Sequence, residues 1–153
     1  KEYFGFNFVP FKTLFYWVLI LASLLLLSDL LTIYLGKPIV PEVMKKWSSS
    51  AYSPWLLYFS IIIAAPILEE LFFRGFLFEG ISSSSLGPVW AIFFTALFWS
   101  SIHIQYDLYG MVFIFLIGLL FGYAKFKTNS IYLTMILHFL TNTVSSIELL
   151  LSS

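Results

Sequence analysis

Six polar residues sit inside stretches that are otherwise apolar: Glu69, Glu70 and Arg74 in one, His103 at the end of the next, and His138 with Asn142 in the last. Carboxylates and imidazoles are the side chains that accept and return protons near neutral pH. A glutamate–histidine pair can therefore activate water by general acid–base catalysis without a metal. Glu69, His103 and His138 also make a chemically reasonable Zn²⁺ set, two imidazoles and a carboxylate with a position left for water. HExxH is absent, and no two histidines share a helix at ligand spacing. The reading therefore turns towards chemistry with no required cofactor, with Zn²⁺ as the alternative. Asn142 adds an uncharged donor of the kind an oxyanion hole uses, where one donor removed costs about 10²–10³ in rate.

Apolar runs near 20 residues read as spanning helices. Five are expected: about Phe11–Tyr34, Pro54–Ile81, Val89–Ile104, Leu108–Phe126 and Ile131–Leu151. A polar loop, Gly36–Ser53, separates the first two, and Pro54 suits the first turn of the second. No repeat or second domain is evident, so residues 1–153 read as one all-α transmembrane bundle. The site is expected between helices two, three and five. A charge at the bilayer centre costs roughly 2.5–3.5 kcal/mol on insertion scales, so Glu69, Glu70 and Arg74 need a reason to be there. Measured from the Ser82 loop at 1.5 Å per residue, Glu69 lies roughly 18 Å deep, His103 roughly 21 Å and His138 roughly 12 Å. Three helices thus bring ionisable groups to similar heights. Glu70 and Arg74 are four apart, share a face and can pair, whereas Glu69 points about 100° away. His138 and Asn142 also share a face. Pro66, one turn before Glu69, removes a backbone hydrogen bond and leaves a carbonyl for water or another partner.

The chain has 153 residues, 60% hydrophobic and 10% charged, against about 25% charged in soluble domains. So few charges could not cover a water-soluble fold of this size, which makes lipid the expected solvent and an integral, multi-pass protein the expected class. The net charge is zero, which leaves no nucleic-acid footprint. Absence of Cys excludes disulfides and thiolate metal sites. The chain opens on Lys1 rather than Met, as expected of a processed or trimmed product. Its first apolar run is longer than a signal h-region and lacks a small-residue cleavage site. Lys1, Lys12, Lys125 and Lys127 collect on one side and Lys37, Lys45 and Lys46 on the other, which favours a cytoplasmic N-terminal side.

Ala65-Pro66-Ile67-Leu68-Glu69-Glu70-Leu71-Phe72-Phe73-Arg74-Gly75 resembles the first motif of the CAAX-protease and bacteriocin-processing (CPBP) family of intramembrane proteases, which includes the Ras-converting CAAX endopeptidases. Phe98-Trp99-Ser100-Ser101-Ile102-His103 resembles the second motif, an aromatic four residues before His. The third is matched by His138-Phe139-Leu140-Thr141-Asn142. Order and spacing agree over about residues 52–146. Two features depart: Trp99 stands where the family usually has Phe, and the chain is short for the family. The resemblance implies hydrolysis of a peptide bond within the membrane. It implies Glu69 as general base assisted by His103, His138 and Asn142 as oxyanion donors, and Glu70 with Arg74 as orienting residues. The substrates it allows are membrane-associated or lipidated: a prenylated C-terminal peptide, a leader peptide or a pheromone precursor.

Blander readings stand beside each residue. Glu69 could form a structural ion pair with Arg74, although the five-residue offset is poorer than that of Glu70. Arg74 lies too deep to snorkel comfortably. His103 could be an interfacial, water-facing histidine, and His138 with Asn142 interhelical glue. Trp99, Phe72 and Phe73 read as packing or lipid contact. Asp29 reads as a solvated charge near the end of the first helix, and Asp107, Glu79 and Glu148 as loop or helix-end charges. Gly118 and Gly122 read as close helix packing. Two rival functions remain at this level: a non-catalytic immunity or binding protein of the same fold, and a small transporter or proton channel, which asymmetry disfavours.

Overall fold

The computed structural model describes residues 3–152, which form an all-helical bundle. Four helices are long and apolar enough to cross a membrane: α1 (Phe11–Tyr34), α3 (Pro54–Ser82), α5 (Leu108–Thr128) and α6 (Ile131–Leu151). Two shorter ones join them, α2 (Glu42–Ser50) and α4 (Gly87–Ser101). The chain is an integral, multi-pass membrane protein. In lipid the backbone must satisfy itself, which selects helices over open strands.

The stretch expected to be a polar loop, Gly36–Ser53, contains α2. Pro41 precedes its first turn, Glu42 pairs with Lys45 at 2.9 Å, and Val40 and Met44 pack against Leu149. These apolar contacts, too few to register as periodicity in a short Ser- and Lys-rich segment, turn it into a helix. The third run ends at Ser101, earlier than the expected Ile104. His103 N–H and Tyr106 N–H close turns onto the Ser100 and His103 carbonyls. At 15 residues α4 is roughly 22 Å long, shorter than the ~30 Å hydrocarbon layer. His103 therefore stands in a turn inside the bundle's flank.

α3 is widened twice, over Ser60–Ala64 and Leu71–Leu77, where π-type turns replace the α-helical ladder. Ala65 N–H reaches back five residues to Ser60 O, and Phe78 N–H does the same to Phe73 O. Such bulges recur at functional sites because each rotates the following residues around the helix. The two flank the only α-helical stretch between them, Ala65–Glu70.

α4 and α5 approach closely. A Cβ placed on Gly118 would lie 3.0 Å from Ala96 Cα, and one on Gly122 would lie 3.2 Å from Ile92 Cα. Trp17, Leu21, Phe73, Trp99, Phe121 and Leu137 form the main core. At the N-terminal end, the segment before α1 straps across the α5–α6 turn. Gly5 O accepts from Ile131 N–H at 2.9 Å, and Asn7 Nδ2 donates to Asn129 O at 3.0 Å. Glu79, expected as a loop or helix-end charge, and Lys125, expected among the lysines of one membrane side, pair here at 2.8 Å, with the Lys125 side chain wholly buried. Lys125 Nζ also donates to Phe4 O and Asn129 Oδ1. The strap shields the ammonium from water, and the clustered oxygens replace its hydration.

Candidate active site

The two adjacent glutamates part company on α3. Glu70 faces inward and is fully buried; its Oε1 receives Arg74 Nη1 at 2.9 Å and His138 Nδ1 at 3.0 Å. Arg74 is equally buried and its Nη2 donates to Gly118 O at 3.3 Å. Its guanidinium lies 4.7 Å from the Trp99 ring centre and 5.4 Å from that of Phe121. An ion pair at this depth is tolerable because each charge is hydrogen-bonded and walled by aromatic faces. Glu69 faces the other way, into a cavity of about 640 Å³ that Trp99, His103, Tyr106, His138 and Asn142 also line.

His138 spans the two carboxylates. A carboxylate oxygen only accepts, so Nδ1 carries the proton given to Glu70. Nε2 points towards Glu69 Oε2 at 3.9 Å, beyond direct hydrogen-bond reach. The ring is held edge-on to Trp99 and tilted against Phe121, with centroids at 5.1 and 5.5 Å. His103 Nδ1 lies 2.7 Å from Trp99 O, which also only accepts. In the neutral ring Nε2 is thereby the lone-pair nitrogen. Asn142 turns its Nδ2 to the Ile61 carbonyl at 2.8 Å, so one of its two N–H bonds is committed to the backbone of α3.

Trp99 packs in the core, as expected, and does a second thing that was not expected. Its ring is 3% exposed, and Nε1 donates to Glu69 Oε2. A buried indole N–H needs an acceptor, and that requirement was the signal available in the sequence. Tyr106, also unforeseen, stands in the turn after α4. Burial and, secondarily, the Glu69 charge push its phenol up from the ordinary tyrosine range. Asp29, expected as a solvated charge near the end of the first helix, and Glu148, expected as a loop or helix-end charge, line the same cavity as Glu69. α1 continues to Tyr34, five residues beyond Asp29, which places this carboxylate on the cavity wall. Asp107 caps α5 through Gly110 N–H at 2.8 Å and pairs with Lys37 at 3.0 Å. Those bonds, the backbone one foremost, hold its carboxyl below the usual range.

The cavity runs from Glu69 towards the α1–α2 connection and α2, where Lys37, Val40, Met44 and Trp47 form its wall. Among the described residues, no group of three His, Asp or Glu side chains is spaced to hold a metal ion. Glu69, His103 and His138 border one cavity without converging as a zinc set. The arrangement can accept a proton at Glu69, accept a second at His103 Nε2, and present His138 Nε2 opposite the carboxylate.

A family model described as Type II CAAX prenyl endopeptidase Rce1-like matches residues 51–144, more than half of the chain. That span holds Glu69, Glu70, Arg74, Trp99, His103, Tyr106, His138 and Asn142, while Asp29, Glu148 and the α2 wall of the cavity lie outside it. Comparison with curated proteins and with solved structures gives no match.

Proposed function

The chain belongs to the Type II CAAX prenyl endopeptidase Rce1-like family, and from that membership we propose that it is an intramembrane endopeptidase. The observation that carries the reading is the split between the twin glutamates. Glu70 is spent on Arg74 and His138, while Glu69 keeps a carboxylate in the cavity, opposite His138 Nε2.

Glu69 takes a proton from a water molecule as the water oxygen attacks the substrate carbonyl carbon. The carbonyl π bond opens and its electron pair moves to oxygen. Protonated His138 donates from both nitrogens: Nδ1 keeps Glu70, and Nε2 faces the developing oxyanion. Glu69 returns its proton to the amide nitrogen, the C–N bond breaks, and the second product leaves as an amine. His103 Nε2 assists as a second proton acceptor. Glu70 and Arg74 orient His138, much as a buried carboxylate orients the histidine of a triad. The family description points to a prenylated C-terminal peptide as substrate, and a cavity bounded by spanning helices suits a lipid-bearing chain.

The test uses the protein in nanodiscs with a prenylated reporter peptide, its products read by mass spectrometry. Wild type should cleave, and Glu69→Gln should lose turnover while keeping its thermal unfolding midpoint. Turnover retained in Glu69→Gln removes Glu69 from the mechanism.

A further inference from the structure

Where each backbone carbonyl of α3 finds its donor singles out Ile61. In an α-helical turn its donor is the N–H of Ala65; in a π-type turn it is the N–H of residue 66. Ala65 gives its N–H to Ser60 O. Residue 66 is Pro, which has none. Ile61 O is therefore left without either helical donor, at a depth where an unsatisfied carbonyl costs several kcal/mol. Asn142 Nδ2, from α6, reaches it at 2.8 Å. Pro66 lies in the first turn of the α-helical stretch Ala65–Glu70, which carries Glu69 three residues later.

We propose that Asn142 is a positioning residue: its amide replaces the N–H that Pro66 lacks and thereby fixes the turn of α3 that aims Glu69 into the cavity. This rests on Glu69 acting in catalysis, as proposed above, but its structural half stands apart from activity. The geometry favours this role over a purely oxyanionic one, because one of the amide's two N–H bonds is already engaged on the backbone. His138 Nε2 makes no direct hydrogen bond, lying 3.9 Å from Glu69 Oε2, and stays directed at the cavity. One helix thus carries a defect, and a neighbouring helix repairs it at the level of the site.

The arrangement makes an unusual prediction, because a second mutation should repair the first. Pro66→Ala restores an N–H at the position from which it can reach Ile61 O. Asn142→Ala should lower kcat by about 10²-fold, the scale expected when a catalytic group is misplaced by about 1 Å, with little change in KM. Pro66→Ala in that background should recover at least about tenfold of the loss. Amide hydrogen exchange over residues 62–68 should rise in Asn142→Ala and fall back in the double variant. Asn142→Leu, similar in volume and without a donor, repeats the test if the alanine variant folds poorly. Recovery of exchange protection without recovery of kcat overturns the proposal and assigns Asn142 to the reacting group itself. Unchanged exchange in both Asn142 variants overturns it as well. If wild type shows no peptidase activity, the endopeptidase reading fails. The exchange data then decide alone whether the amide holds α3.

Discussion

Two buried cation–carboxylate pairs hold this bundle, and they are built differently. Lys125–Glu79 sits near the N-terminal end. Its other partners are Phe4 O and Asn129 Oδ1, and the Glu79 side chain is 22% exposed. Arg74–Glu70 sits inside α3, and both side chains are fully buried. Its further partners are Gly118 O and His138, the latter a titratable ring facing the cavity. The first pair ends in a backbone carbonyl and a side-chain amide oxygen, neither of which titrates, as suits a clasp. The second ends in a group that can exchange a proton. Burial of an ion pair alone therefore says little about function, whereas what the pair touches next says a great deal.

Breaking the inner pair should cost most. Glu70→Gln leaves the Arg74 guanidinium uncompensated in an apolar surround, with an expected destabilisation of about 3–5 kcal/mol. It also weakens the anchor of His138, so turnover should collapse even where detergent-solubilised protein remains folded. Equal loss of stability with intact turnover would make the two pairs alike. Lys125→Met should cost less, about 1–3 kcal/mol, because Glu79 can reach water once its partner is gone. Thermal melts should register that loss while kcat of the folded fraction stays at the wild-type value. A fall in kcat at constant KM would extend the site to the clasp.

Trp99→Phe sharpens the contrast from the cavity side. It keeps an aromatic wall beside Arg74 but deletes the N–H given to Glu69. A hydrogen bond to a charged group is worth about 1.5–3 kcal/mol, so a rate loss of about 10- to 150-fold at unchanged KM is expected. Wild-type kinetics in this variant would return Trp99 to packing alone. Asp107 gives the smallest effect. Its folded carboxyl titrates lower than its unfolded one. The stability it adds is thus present above the ordinary carboxylate value of about 3.9 and fades as pH falls below it. Asp107→Asn should lower the melting temperature slightly at pH 7, and the difference should shrink towards pH 3. A difference that persists in acid would mean that the cap and the Lys37 contact are not its source.

Composition and apolar run length determined the solvent, the helical class and the approximate bounds of the spanning segments, because lipid leaves the backbone few ways to satisfy itself. Helical spacing determined that Glu70, not Glu69, matches Arg74, and a proline one turn before Glu69 already announced an orphaned carbonyl. Tertiary structure alone decided which donor repairs that carbonyl. It likewise decided that Trp99 reaches Glu69, that Lys125 is buried, and that α2 forms beneath Leu149. Each of these depends on a partner more than a dozen residues away, brought near by packing. A periodicity along one helix reports which face a residue occupies, but not what stands opposite that face.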